Sequence, residues 1–268
     1  MESRTAKTIR NAKWGFVNSI VNMLLPFVVR SFLIYKLGTE YSGLNSLFNS
    51  ILTVLNLTEL GFSTAIVYSM YKPVAENDKD KICALLNVYK KAYRIIGCII
   101  LAVGLGLLPF IPCLIKESVP GNVNIYVLYL VYIFDTVISY FLYAYKTSLL
   151  SAHQREDILS RNSFFRNVVF SFFKIIVLLF FPDYYLYVLL LPLSTIFMNI
   201  LNKRDVDKVF PEYLPCGNIS ESEKKELKKN LVGLTICVRV GRFQPHSVGP
   251  KSPIPVGTKV PLYKLCSN

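Results

Sequence analysis

Only two histidines, His153 and His246, occur in the chain, and no H-E-x-x-H motif accompanies them. Neither a zinc site nor a Ser/His/Asp constellation can be built on that supply. A G-x-x-x-x-G-K-[ST] run is absent too, which excludes an ATP-driven pump encoded on this chain. Cys83, Cys98, Cys113, Cys216, Cys237 and Cys266 form no C-x-x-C pair and show no metal-ligand spacing. Several lie in or beside apolar stretches, where cysteine behaves as a small hydrophobe. The expectation is therefore no enzyme, no cofactor, no metal and no disulfide framework.

Charge is scarce in long blocks, and hydrophobic residues fill them. They make up 53% of the chain, with a mean hydropathy of +0.42, against about 45–50% apolar in soluble domains. Crossing a bilayer takes roughly 20 mostly apolar residues. Six stretches qualify: 14–37, 44–71, 95–115, 125–145, 164–181 and 184–201. Lipid leaves no partner for open backbone groups, so these must be helices. The fold class expected is an all-α integral membrane protein with about six transmembrane helices forming one bundle. Arg4, Lys7, Arg10 and Lys13 before the first apolar run suggest a signal peptide. That run is too long and lacks a small-residue cleavage site, so an uncleaved first helix is expected. Residues 77–94 are too charged to cross and read as a helix along the surface.

Net charge is +13, a value that can mark nucleic-acid binding. Here the charges fall between apolar blocks, which argues for no nucleic acid and for contact with membrane lipids. Segments assigned to one side carry Arg4 to Lys13, Lys72 to Arg94, Lys146 to Arg166 and Lys203 to Lys229, while the other side carries Lys36 and Lys116. Basic residues concentrate on the cytoplasmic side, so the N and C termini are both expected in the cytoplasm. Arg166, inside the drawn fifth span, is expected to snorkel to that interface. Tyr184, Tyr185 and Tyr187 suit an aromatic belt at the outer surface, with sugar stacking as the alternative.

Beyond Leu231 the character changes. Residues 232–268 hold five prolines, which rule out a seventh spanning helix. Val-Gly recurs there every eight residues, at 232–233, 240–241, 248–249 and 256–257. A short binding repeat and an out-of-frame segment are the two readings, and the second is preferred. The organisation expected is a six-helix bundle over 1–231 and a proline-rich tail over 232–268.

Inside the spans four charged residues stand out: Arg30, Glu59, Asp135 and Lys174. Each costs about 2.5–3.5 kcal/mol at a helix centre, so such groups face other helices or a wet cavity. In the second span Asn45, Asn49, Thr53, Asn56, Glu59 and Ser63 form one polar stripe roughly 120° wide at 100° per residue. Ser160, Ser163, Asn167, Ser171 and Lys174 make a tighter stripe in the fifth span. Asn18, Ser19, Asn22 and Arg30 share a face in the first, where Pro26 is expected to bend the helix. These stripes either line a hydrated cavity or join helices by hydrogen bonds. Asp135 and Lys174 either neutralise each other as a buried pair or bind substrate. Arg30 and Lys174 suit an anionic substrate such as a pyrophosphate. Gly97, Gly104 and Gly106 are expected to permit close helix packing.

Residues 25–61, LPFVVRSFLIYKLGTEYSGLNSLFNSILTVLNLTELG, carry the run L-G-x-E-Y-x-G-L-N-x-L-F at 37–48, and E-L-G-F follows at 59–62. This stretch and its continuation resemble bacterial polysaccharide transporters, the lipid-linked oligosaccharide flippases of O-antigen and capsule synthesis. Their superfamily also holds multidrug extruders and lipid II flippases. The resemblance covers about residues 10–231. It implies two bundles of six or seven helices rocking about a cationic cavity in the bacterial cytoplasmic membrane. An undecaprenyl-pyrophosphate-linked oligosaccharide would be moved to the outer leaflet. By position it carries over Arg30 and Glu59 as cavity residues; Asp135 joins them as a charge within a span, and Lys174, Asn45, Asn49 and Asn56 from the stripes. Only the first bundle is present, so a truncated flippase is expected, with a homodimer of half-transporters as the weaker alternative. A multidrug extruder, a non-transporting partner of a polysaccharide synthase complex and a membrane-embedded glycosyl transferase or polymerase are the competing readings.

Overall fold

The computed structural model describes residues 4–56, 62–114, 120–121 and 123–220, and all regular structure among them is helical. The helices are α1 (Arg4–Leu37), α2 (Thr39–Asn56), α3 (Phe62–Glu76) and α4 (Lys79–Gly106). A 3-10 turn (Leu108–Phe110) leads to α5 (Ile111–Leu114), and α6 (Ile125–Phe141), α7 (Ala144–Ala152), α8 (Glu156–Phe180) and α9 (Tyr184–Val209) follow.

Local chemistry sets the ends. Gly38, at φ +108°, closes α1 with its N–H on Ile34 O at 3.0 Å and lets α2 start at once. Asn77, at φ 54°, ends α3, and Asp78 Oδ1 then accepts the Lys81 N–H at 3.0 Å to cap α4. Asn124 and Asp183 cap α6 and α9 by accepting the N–H groups of Tyr126 and Val127, and of Tyr185 and Leu186.

The described residues fall into two compact units, one within Met1–Asn56 and Lys91–Glu212, the other within Leu57–Lys90 and Tyr213–Asn268. In the first, side-chain pairings fix helix directions. Trp14 meets Phe164 and Asn22 bonds Asn167, so α1 and α8 run parallel. Arg161 reaches Asp205 and Phe170 meets Phe197, so α9 runs against α8. Tyr185 with Asn124 and Thr195 with Asp135 set α6 parallel to α9. Tyr132 and Tyr140 bond Asn45 and Asn56, which puts α2 along α6 in the same sense. The second half of α4 runs against α6: a Cβ on Gly97 would lie 3.0 Å from Tyr140 Cβ, and one on Gly104 3.0 Å from Ile133 Cδ1. Gly97 and Gly104 thus permit the close packing expected of them, whereas Gly106 has nothing within 4 Å.

In the second unit, Ile66 and Met70 of α3 and Ile82, Leu86 and Tyr89 of the first half of α4 are essentially buried. Tyr89 Oη donates to Ile66 O at 3.3 Å.

Among the described residues four helices are long and apolar enough to cross a membrane: Thr8–Leu37, Lys79–Cys113, Glu156–Phe180 and Tyr184–Val209. The pair Ile125–Phe141 and Ala144–Ala152, bent by 53°, makes a fifth if it is one span. Their apolar side chains are left uncovered. Phe16, Met23 and Phe27 on α1 are 69%, 78% and 72% exposed, and Phe172 and Phe180 on α8 are 63% and 72%. Water does not tolerate apolar faces of that extent, so a membrane protein is the reading these helices support.

Three sequence expectations change. Residues 79–94 are not a separate surface helix; they are the first half of α4, continuous with its apolar half. No proline or glycine interrupts the run before Gly97, and Ile82, Leu85, Leu86 and Tyr89 give that half a buried face. The span drawn at 125–145 breaks after Phe141, where Leu142 and Tyr143 leave helical geometry. Tyr184 and Tyr187 are not a surface belt: they are 3% and 4% exposed, stacked on each other. Three residues apart, they share the helix face that meets Tyr41 and Lys174. The span drawn at 44–71 coincides with α2 and α3, with residues 57–61 between them outside the described set.

Candidate functional site

A cavity of about 190 Å³ opens between α6, α8 and α9, lined by Asp135, Arg166, Asn167, Phe170, Ser171, Lys174, Leu191, Ser194 and Thr195. Helix α8 supplies most of the polar wall because Asn167, Ser171 and Lys174 recur at helical spacing along one face. Helix α6 supplies the carboxylate, and α9 adds two adjacent hydroxyls.

Asp135 Oδ1 accepts from Thr195 Oγ1 at 2.5 Å. Lys174 shares the cavity with Asp135, but no ion pair within 4 Å joins them among the described residues. Its ammonium lies 5.3 Å from the Tyr187 ring centroid, a cation–π contact. No hydrogen-bond acceptor reaches it among the described residues. Arg166 Nη2 donates to Asn167 Oδ1 at 2.7 Å, while its buried Nε has no hydrogen-bond partner among the described residues. Asn167 donates to Asn22 on α1, and Asn18 Oδ1 is buried without a donor among the described residues. A buried polar atom without a partner is costly. The cavity therefore offers unsatisfied donors beside one carboxylate already engaged by a hydroxyl. Two cations against one anion favour a negatively charged guest.

Of the sequence candidates, Asp135 and Lys174 come together here. Asn45, Asn49 and Asn56 do not. Asn45 accepts from Tyr132 Oη and Asn56 accepts from Tyr140 Oη at 3.3 Å, while Asn49 donates to Asn45 O at 2.7 Å and Thr53 donates to Asn49 O at 2.7 Å. Asn45 and Asn56 thus join α2 to α6, while Asn49 and Thr53 bond within α2. Arg30 is exposed and does not line the cavity. Glu59 lies outside the described residues.

Sequence reasoning missed Arg166 and Thr195. Arg166 does not snorkel away; its long side chain folds to Asn167 and into the cavity. It lies roughly 100° from Asn167 around the helix, off the stripe, so periodicity alone did not select it. Thr195 carries no charge, and although Asn199 and Asn202 follow it at helical spacing, only the pairing of α6 with α9 gives it a role.

A second polar cluster lies where α8 begins and α9 ends. Arg10 and Arg155 approach Asp157, Arg161 pairs with Asp205 at 2.8 Å, and Lys146 pairs with Asp207. Asn162 donates to both Asn202 and Asp205. Each charge in it lies in an ion pair, so the cluster ties the helix ends together. Among the described residues no three His, Cys, Asp or Glu side chains gather as a metal site.

Comparisons with protein-family models, with curated proteins and with solved structures find no match.

Proposed function

We propose that this chain is a transporter bundle of the bacterial cytoplasmic membrane, acting on an undecaprenyl-pyrophosphate-linked oligosaccharide during polysaccharide synthesis. The observation that carries the reading is the cavity. Lys174 and Arg166 line it together, and among the described residues the buried Arg166 Nε has no hydrogen-bond partner, inside a helix cluster whose outer faces are apolar. At about 190 Å³ it is smaller than the ~300–1,000 Å³ of drug-sized pockets. It suits a phosphate-bearing headgroup, with the polyprenyl chain left in lipid. The motifs at 37–48 and 59–62 give independent support through their resemblance to lipid-linked oligosaccharide flippases.

Six passes with both termini in the cytoplasm belong to the same proposal. The directions of α1, α2, the second half of α4, α6, α8 and α9 alternate in chain order, as six passes require. The basic loops select the cytoplasmic side. Membrane lipid is the surrounding partner, and no nucleic acid, cofactor or catalytic step is invoked. A cationic-drug extruder is the second reading, favoured by Asp135 alone.

Binding of a fluorescent polyprenyl-pyrophosphate oligosaccharide to the chain in nanodiscs tests the proposal. Lys174→Gln and Arg166→Gln should each weaken binding about tenfold or more, since a hydrogen bond to a charged group contributes about 1.5–3 kcal/mol. Unchanged affinity in both variants refutes the anion site. Preference for a cationic amphiphile, lost in Asp135→Asn, transfers the case to the extruder.

A further inference from the structure

The second compact unit brings together two cysteines that are remote in sequence. Cys83 lies on the first half of α4 and is 7% exposed. The segment following α9 docks on that helix: Tyr213 and Ile219 are buried, and Gly217 O accepts from Asn87 Nδ2 at 2.7 Å. Gly217, at φ +77°, turns the backbone so closely that a Cβ there would lie 3.6 Å from Ala84 Cβ. The residues before this contact on both sides are cysteines, Cys83 before Ala84 and Cys216 before Gly217. The two thiols interact electrostatically across this contact, and the Leu214 backbone meets Cys83. Cys216 is exposed and both are free thiols.

We propose that Cys83 and Cys216 form a reversible dithiol–disulfide site, oxidised by peroxide and reduced by small thiols. Cys216, the exposed sulfur, attacks hydrogen peroxide and becomes a sulfenic acid as one water leaves. The Cys83 sulfur then attacks that sulfur, its thiol proton passing to the sulfenic oxygen, which leaves as a second water. The two thiols surrender two electrons and their protons, and peroxide is reduced to two waters. Two equivalents of reduced glutathione reverse the step through a mixed disulfide, leaving oxidised glutathione. The bond converts the docking of residues 213–220 on α4 from a non-covalent contact into a covalent tie. The site is independent of the transporter reading, since it uses no cavity residue.

The test uses the full chain in membranes, reduced, freed of reductant, exposed to hydrogen peroxide, blocked with N-ethylmaleimide and digested for mass spectrometry. A peptide joining Cys83 to Cys216 should be the principal disulfide product. It should vanish in Cys216→Ser, persist in Cys98→Ser and Cys113→Ser, and disappear on adding reduced glutathione. Cleavage within 213–220 by a protease should slow after oxidation in the wild type and stay unchanged in Cys216→Ser. Absence of the linked peptide overturns the proposal. So does linkage of Cys216 to Cys237 or Cys266 as often as to Cys83, or a bond that glutathione does not reverse.

Discussion

Asp157 is the residue whose loss should most directly loosen α1 from α8. Its side chain is 7% exposed and lies 2.8 Å from Arg10 Nε. Arg155 donates to both carboxylate oxygens, at 3.0 and 3.3 Å. The Asp157 N–H donates to Asn11 Oδ1 at 2.9 Å, and Asn11 Nδ2 donates to Gln154 O at 3.0 Å. Asp157→Asn keeps the size and removes the charge. Breaking a buried ion pair costs about 3–5 kcal/mol, and a charged hydrogen bond contributes about 1.5–3 kcal/mol. Arg10 and Arg155 are 29% and 27% exposed, so water recovers part of their loss. Arg10 Nε also approaches off its N–H axis, making a Coulomb contact rather than a good hydrogen bond. Both corrections point to the low end, about 2–3 kcal/mol. At about 2–4 °C per kcal/mol for a chain of this size, Tm should fall by roughly 5–10 °C. The chain supplies its own reporter. Its single tryptophan, Trp14, sits 6.1 Å from Phe164 across the α1–α8 contact. Trp14 emission, followed on heating in detergent, reads the separation of the two helices. Lys72→Gln is the comparator: its pair with Glu76 is 78% and 54% exposed, and such pairs contribute little. An Asp157→Asn transition within about 1 °C of the Lys72→Gln one would refute the reasoning.

Two further outcomes follow from the packing. Gly104→Leu should lower Tm through an overpacking cost of about 1–3 kcal/mol, because its Cβ already meets Ile133 Cδ1 at 3.0 Å. Gly106→Leu, with nothing within 4 Å, should change Tm far less; equal shifts in thermal melts would remove the close-packing argument. A double-mutant cycle on Asn45→Ala and Tyr132→Phe should give a coupling of about 0.6–1.7 kcal/mol in chemical unfolding. A coupling near zero would mean that the α2 stripe does not join helices, and would return Asn45 to the substrate question.

The long apolar helices were legible because bilayer thickness imposes a length that hydropathy reads directly. The spans drawn at 14–37, 164–181 and 184–201 fall within α1, α8 and α9 apart from Phe181, which caps α8. Their ends were less legible: α1 and α8 begin earlier, since a charged turn is as good a helix as an apolar one once it has caps or partners. The break after Phe141 was not visible at all. Residues 141–144 contain no proline or glycine, and a bend set by packing leaves no local mark.

Composition and spacing by themselves determined the helical class, the apolar spans and the presence of polar faces within them. What those faces do was decided by which helix stands opposite. Asn45 and Asn56 meet tyrosines of α6 and become joints. Lys174 meets a ring and an open cavity, and keeps its donors free. Asp135 takes a hydroxyl from α9 instead of pairing with Lys174. Periodicity places a side chain on a face of its own helix, but the partner across that face comes from another part of the chain. The free energy of a buried polar group depends on that partner, so only the tertiary structure could separate joint from cavity.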